Sequence, residues 1–524
     1  MIKHKTQAFI VCPLIDESES ETMQNVKAVK KVLDQLDIKS KVQQALASKN
    51  IDAEFNKILE RKTGVGAEKE YKGVTARMEG AKKGKYKWII PPSAADFELL
   101  TSYTFAGKGK KGEADMKFFE DNLAKPFAKG INEINRAKQA TTEDYMALRK
   151  IMPEARKMLN KKVPGTKFTH DAAIRVDRWT KAGYEVPGLS KKDFKTLQDV
   201  MRNSPELTAY SEALGKISKQ ERGWTKPTEH WLVENITADL NNINNKVNRT
   251  KYLEQWLENK NIIFSEKNLN KIEALYGPKH RDALEDMLHR METGSNRTIG
   301  TNKLTNQFMN WTNASVGAIM FFNTRSAELQ LLSSVNYLNW AENNPYQAGK
   351  AFANQPQYWK DFSHLFNSDM LKQRRAGLKM NVNEAEIAAA VENSTNKVSA
   401  ALNWLLTKGF LPTQIADSFA IASGGSTFYR NRIKMYEKQG LDPKAAEKKA
   451  FTDFQEIAEK TQQSSRPDLI SQQQASPLGR LILAFANTPM QYARIMKKSA
   501  MDLGAGRGDT KSNVSKIAFY GAIQ

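Results

Sequence analysis

Apolar side chains in this chain recur at steps of three and four residues, segment after segment, and short Gly or Pro breaks separate the runs. That period places them along one stripe of an α-helix, whereas a half-buried strand needs strict alternation. From Glu21 to Ser48, Met23, Val26, Val29, Val32, Leu33 and Leu36 mark the stripe, with Lys27, Lys30 and Lys31 between. Asp16 to Thr22, just ahead, offers capping side chains and acids for the positive helix end. Further helical runs cover Ile51 to Arg61, Asp115 to Lys138, Glu143 to Asn160, His170 to Ala182, 262 to 276 and 279 to 291. Breaks as short as Pro164-Gly165, Pro187-Gly188 and Gly277-Pro278 favour helices packed on helices over a parallel sheet. The expected fold is therefore all-α, an irregular multi-helical array or bundles with basic loops.

The same period continues towards the C-terminus. Ile387, Val391, Val398, Leu402, Leu405 and Leu406 predict a helix over 384 to 408, and others are expected at 411 to 422, 426 to 439, 443 to 462 and 476 to 503. Ala422 to Ser426, with Gly424 and Gly425, reads as a helix connection in which Ser426 or Thr427 caps the next helix. A chain of 524 residues exceeds one core. Composition divides it into a basic N-terminal helical and loop region (1–113), a helical region (114–223), a helical connector (224–300) and a C-terminal helical packing region (301–524). Ile517 to Gln524 resume an apolar pattern without a polar tail, so the last region is expected to continue in a longer precursor. Leu304 to Thr324 carry no charged residue, enough length to cross a bilayer. Asn306, Gln307, Asn310, Asn313 and Asn323 argue against constitutive membrane insertion and for a protein-buried helix.

Charge narrows the partners. The chain holds 80 Lys and Arg against 58 Asp and Glu, a formal +22, and residues 1 to 200 contribute 39 cations against 27 acids. A surface of this sign attracts nucleic acid, anionic lipid or acidic protein. Two tracts read as exposed basic loops: Lys82, Lys83, Lys85, Tyr86, Lys87 and Trp88 before Pro91-Pro92, then Lys108, Lys110 and Lys111 among the glycines of 107 to 112. Their cations suit phosphates, and the Trp88 ring suits a base or sugar. A protein contact or a solvated loop fits the same residues.

No catalytic constellation emerges. The single cysteine, Cys12, excludes an internal disulfide framework and cysteine-rich zinc sites, and in Phe9-Ile10-Val11-Cys12 it reads as a small buried thiol. His4, His170, His230, His280, His289 and His364 include no i,i+4 pair and no HExxH. The glycines at 107, 109 and 112 lack a phosphate-loop ending, and those at 504, 506 and 508 complete no dinucleotide fingerprint. No catalytic residue, metal or cofactor is assigned.

A polar and aromatic concentration runs through Asn323, Arg325, Gln330, Asn336, Asn339 and Trp340, then Gln355, Tyr358, Trp359, Asp361 and Phe362. Amides, arginine and tryptophan of this kind serve an interface or a core equally well, and a small-molecule pocket is a third use. The stretches NTRSAELQLLSSVNYLNW (Asn323 to Trp340), QPQYWKDFSHLFNSDMLKQRRAGL (Gln355 to Leu378) and ASPLGRLILAFANTPMQYARIMKKSAMDLGAGRGD (Ala475 to Asp509) resemble segments of very large virion proteins of tailed bacteriophages. The resemblance covers mainly residues 304 to 510. It implies a helical protein packaged in the capsid interior or portal, with virion or portal proteins and genomic DNA as partners, that enters the host with the genome. It implies interface roles for Asn323, Arg325, Asn336, Trp340, Trp359, Arg374 and Arg375, and transfers no catalytic residue. The alternatives are a nucleic-acid-associated scaffold with no ejection role, or a non-catalytic segment of a large phage enzyme.

Overall fold

The computed structural model describes residues 46–64, 71–83, 91–218, 224–227, 231–295, 337–338, 343–374, 412–461, 466–476 and 487–523, with single positions or pairs at 397, 400–401, 404–405 and 479. Among them the chain is all-α, with an isolated antiparallel bridge between Lys162 and Thr169. The fold class read from the sequence is the fold observed.

Three apolar cores organise the helices. The first joins Phe55, Leu99, Phe105, Phe119 and Phe127 to Trp256, Phe264, Ile272, Leu284 and Met287. A second lies within residues 145–243, around Trp179, Trp224, Trp231, Leu197, Leu207 and Tyr210. The third packs Tyr358, Trp359, Phe362 and Phe366 on Phe419, Phe428, Ile433 and Phe454. The chain thus builds half of the first core, leaves to form the second and returns to complete the first. These cores divide the chain differently from boundaries at 113, 223 and 300, because helices distant in sequence share one apolar stripe.

The long helix Lys125–Ile151, 27 residues or about 40 Å, links two cores: Phe127 and Ile134 enter the first, Tyr145 and Leu148 the second. Ile236–Tyr252 packs along it in the opposite direction, from Ile236 and Leu240 in the second core to Tyr252 against the first. The expected break between the helices Asp115 to Lys138 and Glu143 to Asn160 is therefore absent, since both run into this one. Thr141 and Thr142 lie inside it and return their hydroxyls to the carbonyls of Ala137 and Lys138 at 3.1 and 2.9 Å. The break falls instead at Met152-Pro153, where proline cannot donate. Upstream, Gly109–Phe119 runs into the long helix through a single π-type turn, Glu120–Ala124. Pro126 cannot supply the N–H that would bond Asn122, and the Asn259 side chain donates to that carbonyl at 2.8 Å instead.

Two further expectations are corrected. Gly107 to Gly112 is not wholly loop, since Gly109–Phe119 is helical, and Lys82 and Lys83 close the helix Gly73–Lys83. Ala422 to Ser426 is no connection either: Pro412–Lys438 is one helix. A Cβ at Gly425 would fall 2.2 Å from the Phe454 ring, so glycine there permits close helix approach rather than a turn. Ser426 donates back to the Ala422 carbonyl instead of capping a new helix. The expected helices at 21–48 and 384–408 and the uncharged Leu304 to Thr324 window fall wholly or largely outside the described residues. Among the described residues no helix is long and apolar enough to cross a membrane.

Candidate nucleic-acid interface

Asp96 starts the element that positions the basic turn. It caps Phe97–Phe105 by accepting from Leu99 N at 2.9 Å, and its other oxygen receives Arg494 Nε at 3.0 Å. Burial raises the Asp96 carboxyl above its ordinary range, opposed by Arg494. Beyond Phe105 the chain turns and restarts at Gly109, whose φ of 57° is left-handed. Asp115, 2% exposed, anchors the turn from inside: it accepts from Gly107 N at 2.9 Å and pairs with Arg61.

The turn is completed by the Gly504–Gly508 loop. Arg507, buried, donates Nε to Asp502 Oδ1 at 2.8 Å, Nη1 to the carbonyls of Ala106 and Gly107 at 3.2 and 3.1 Å, and Nη2 to Ser102 Oγ at 3.0 Å. Gly109 N donates to the Ala505 carbonyl and Gly508 N to Glu113 Oε1, both at 2.8 Å. A Cβ at Gly112 would stand 2.2 Å from the Gly107 oxygen and 2.8 Å from Arg507 Cδ. Two glycine clusters read separately in the sequence form one joint.

On this joint sit the cations. Lys108, Lys110 and Lys111 are exposed where Gly109–Phe119 begins, with no acid in the first turn, and among the described residues none has an ion-pair partner. The helix dipole disfavours cations at that end by roughly 0.3–1 kcal/mol each. Lys62 Nζ donates to the Ala106 carbonyl at 2.8 Å, and its pKa is lowered by burial first and then by Arg507. The arrangement presents uncompensated positive charge on a rigid frame, which suits phosphate oxygens.

The remaining sequence candidates are placed unevenly. Lys82 and Lys83 are helical with undescribed side chains, and Lys85, Lys87 and Trp88 lie outside the described residues. Trp359 is 2% exposed in the third core, its Nε1 donating to Gln355 Oε1 at 3.1 Å, so it packs this chain's own interior. Arg374 ends the helix Asp369–Arg374 with its side chain undescribed, and Asn323, Arg325, Asn336, Trp340 and Arg375 fall outside the described residues. Sequence reading missed Arg61, Lys62, Asp115 and Arg507; the one available signal was an arginine set among the glycines of 504–508.

A groove of about 1150 Å³ opens between Lys125–Ile151, Gln355–Phe366 and Pro443–Thr461. Lys129, Arg136 and Lys360 face Glu133, Asp369 and Glu456 there, so the charges offset one another and give no polyanion site. Among the described residues no group of three or more His, Cys, Asp and Glu is placed to hold a metal. The fold and the joint define an all-α protein with a cationic, glycine-framed surface. No family model, curated protein or solved structure matches the chain significantly.

Proposed function

We propose that this chain is a non-catalytic, DNA-associated structural protein of a tailed-bacteriophage particle, held beside the packaged genome or portal and delivered with it. The observation that carries the DNA association is the set of exposed lysines 108, 110 and 111 at a helix start that gains nothing from them. The phage assignment rests on the resemblance of residues 304 to 510 to virion cargo proteins. In this reading the protein lies in the virion interior or portal and tail lumen before infection, and in the host afterwards. On the same reading the helices come apart and re-form during passage, with the chain's single cysteine leaving no internal disulfide to obstruct threading.

The test combines peptide mapping of this chain with reconstructions of intact and genome-released particles. Cargo is present in full particles and lost on release. Retention after release makes it a permanent portal or tail component, and absence from particles favours the cytosolic scaffold.

A further inference from the structure

A second run of exposed cations lies away from the joint. Between Lys150 and Lys167 six cations, Lys150, Arg156, Lys157, Lys161, Lys162 and Lys167, share eighteen residues with one acid, Glu154. All six are exposed. Lys157 pairs with Glu154 at 2.8 Å, Lys167 lies over the Phe168 ring, and among the described residues the other four have no ion-pair partner.

The segment is a built shape. Ala155, Leu159, Val163 and Phe168 are buried in the second core, which fixes one side and turns the cations outward. Residues 161–170 form a knuckle: Val163 N donates to the Phe168 carbonyl at 2.8 Å and His170 N to the Lys161 carbonyl at 3.1 Å. Thr166 N closes a turn onto the Val163 carbonyl at 3.1 Å through Pro164 and Gly165, the latter at φ 74°. That positive φ is what glycine supplies without strain. The Phe168 ring stacks on Trp231 with centroids 5.7 Å apart, tying the knuckle to the core.

We infer that the Lys150–Lys167 face binds the phosphate backbone of double-stranded nucleic acid, without reading sequence. This deepens the DNA association proposed above and rests on it. A preformed cationic surface spends little entropy on binding phosphates. Single strands call for exposed stacking rings, and this stretch has no Phe, Tyr or Trp while the adjoining Phe168 is buried. A membrane surface calls for apolar side chains beside the charge, and the stretch exposes one large one, Ile151.

The test measures affinity of the full chain for a mixed-sequence DNA duplex across salt concentration. Each phosphate that a variant no longer neutralises makes log K against log salt shallower by about 0.9. The variant K161Q/K162Q/K167Q, checked for unchanged circular dichroism, is expected to flatten the slope by about 3 units. K150Q/R156Q/K157Q serves as a second variant of the same face and is expected to do likewise. Unchanged slopes in both, with flattening in K108Q/K110Q/K111Q, overturn this inference and leave the DNA association standing. A wild-type chain that ignores duplex at low salt overturns both. Tighter binding to single strands, an acidic peptide or phosphatidylserine vesicles than to duplex overturns the inference in favour of that partner.

Discussion

Arg175 shows how a buried charge is made tolerable. It is 1% exposed, yet Nε and Nη2 donate to Asp239 at 2.6 and 2.9 Å, Nη1 reaches the carbonyls of Trp231 and Glu234 at 2.7 and 2.6 Å, and the guanidinium lies over Trp179. Trp224 Nε1 also donates to Asp239, at 3.3 Å. Removing one partner strands the other charge in the second core. Arg175→Ala is therefore expected to lower stability by about 3–5 kcal/mol in urea unfolding. A drop of less than about 1 kcal/mol would show that the hub is wet or open. His280 gives a pH signature. It is fully buried with Nε2 3.1 Å from Thr104 Oγ1, and burial lowers its pKa to about 3. Between that value and about 6.5 the unfolded chain holds the proton and the folded chain does not. The stability from this group is thus complete above about pH 6.5 and declines on acidification towards about 3, by up to about 1.4 kcal/mol per unit. His280→Gln should flatten the pH dependence of unfolding across that window. An unchanged profile would assign the acid response to other groups.

At the scale of elements, the C-terminal hairpin of Asn487–Gly504 and Thr510–Ile523 is held differently from the rest. Among its described residues, Met501 packs against the first core, from its margin. Polar attachments add to this: Arg494 to Asp96, Lys498 to Glu98 at 3.3 Å, and Arg507 to the Ser102–Gly107 turn. Lys460, from the third core's helix, also reaches Glu98, at 3.2 Å. Burial alone would raise the Glu98 carboxyl, but the two lysines together outweigh it and hold it well below the ordinary range. Its contribution is present above the unfolded carboxylate range and is lost as pH falls through its lowered value. Gly112→Ala should loosen this attachment, because the added carbon meets backbone and Arg507 has no room beside it. Amide exchange in Asn487–Gly504 is the readout. Faster exchange there with the Trp179 core unchanged is the expected result, and uniform protection would show that the joint is dispensable.

For the whole molecule, apolar cores and a polar seam respond to solvent in opposite ways. Salt screens surface charge over about 10 Å at about 0.1 M and about 3 Å at about 1 M, while leaving apolar burial intact or stronger. The lysine pairs on Glu98 are the exposed part of the seam that salt screens, so limited proteolysis at high salt is expected to cut near the Gly504–Gly508 loop before it cuts within 145–217. Simultaneous cleavage of both would mean that the seam and the cores melt as one. On the proposed DNA association the same screening releases duplex, so hairpin loosening and DNA release are expected to follow salt together.

The sequence by itself determined the helices and their class, because a 3.6-residue period of apolar side chains is a local property written in each segment. The runs at His170 to Ala182 and 279 to 291 correspond to His170–Lys181 and Pro278–Thr293 for that reason. Only the tertiary structure decided what the breaks meant. Gly425 resembles a turn in sequence and serves a close contact with Phe454, some thirty residues on, in space. Lys108, Lys110 and Lys111 were legible as a basic tract, whereas Arg507, which frames them, lies about 400 residues away and meets Ser102 and Gly107 only once the hairpin docks. The cations of Lys150–Lys167 can be counted along the chain, whereas the buried side that fixes them becomes visible only when Val163 and Phe168 have a core to enter. Period is local and can be read along the chain; which charge ends up uncompensated depends on partners that folding alone brings together.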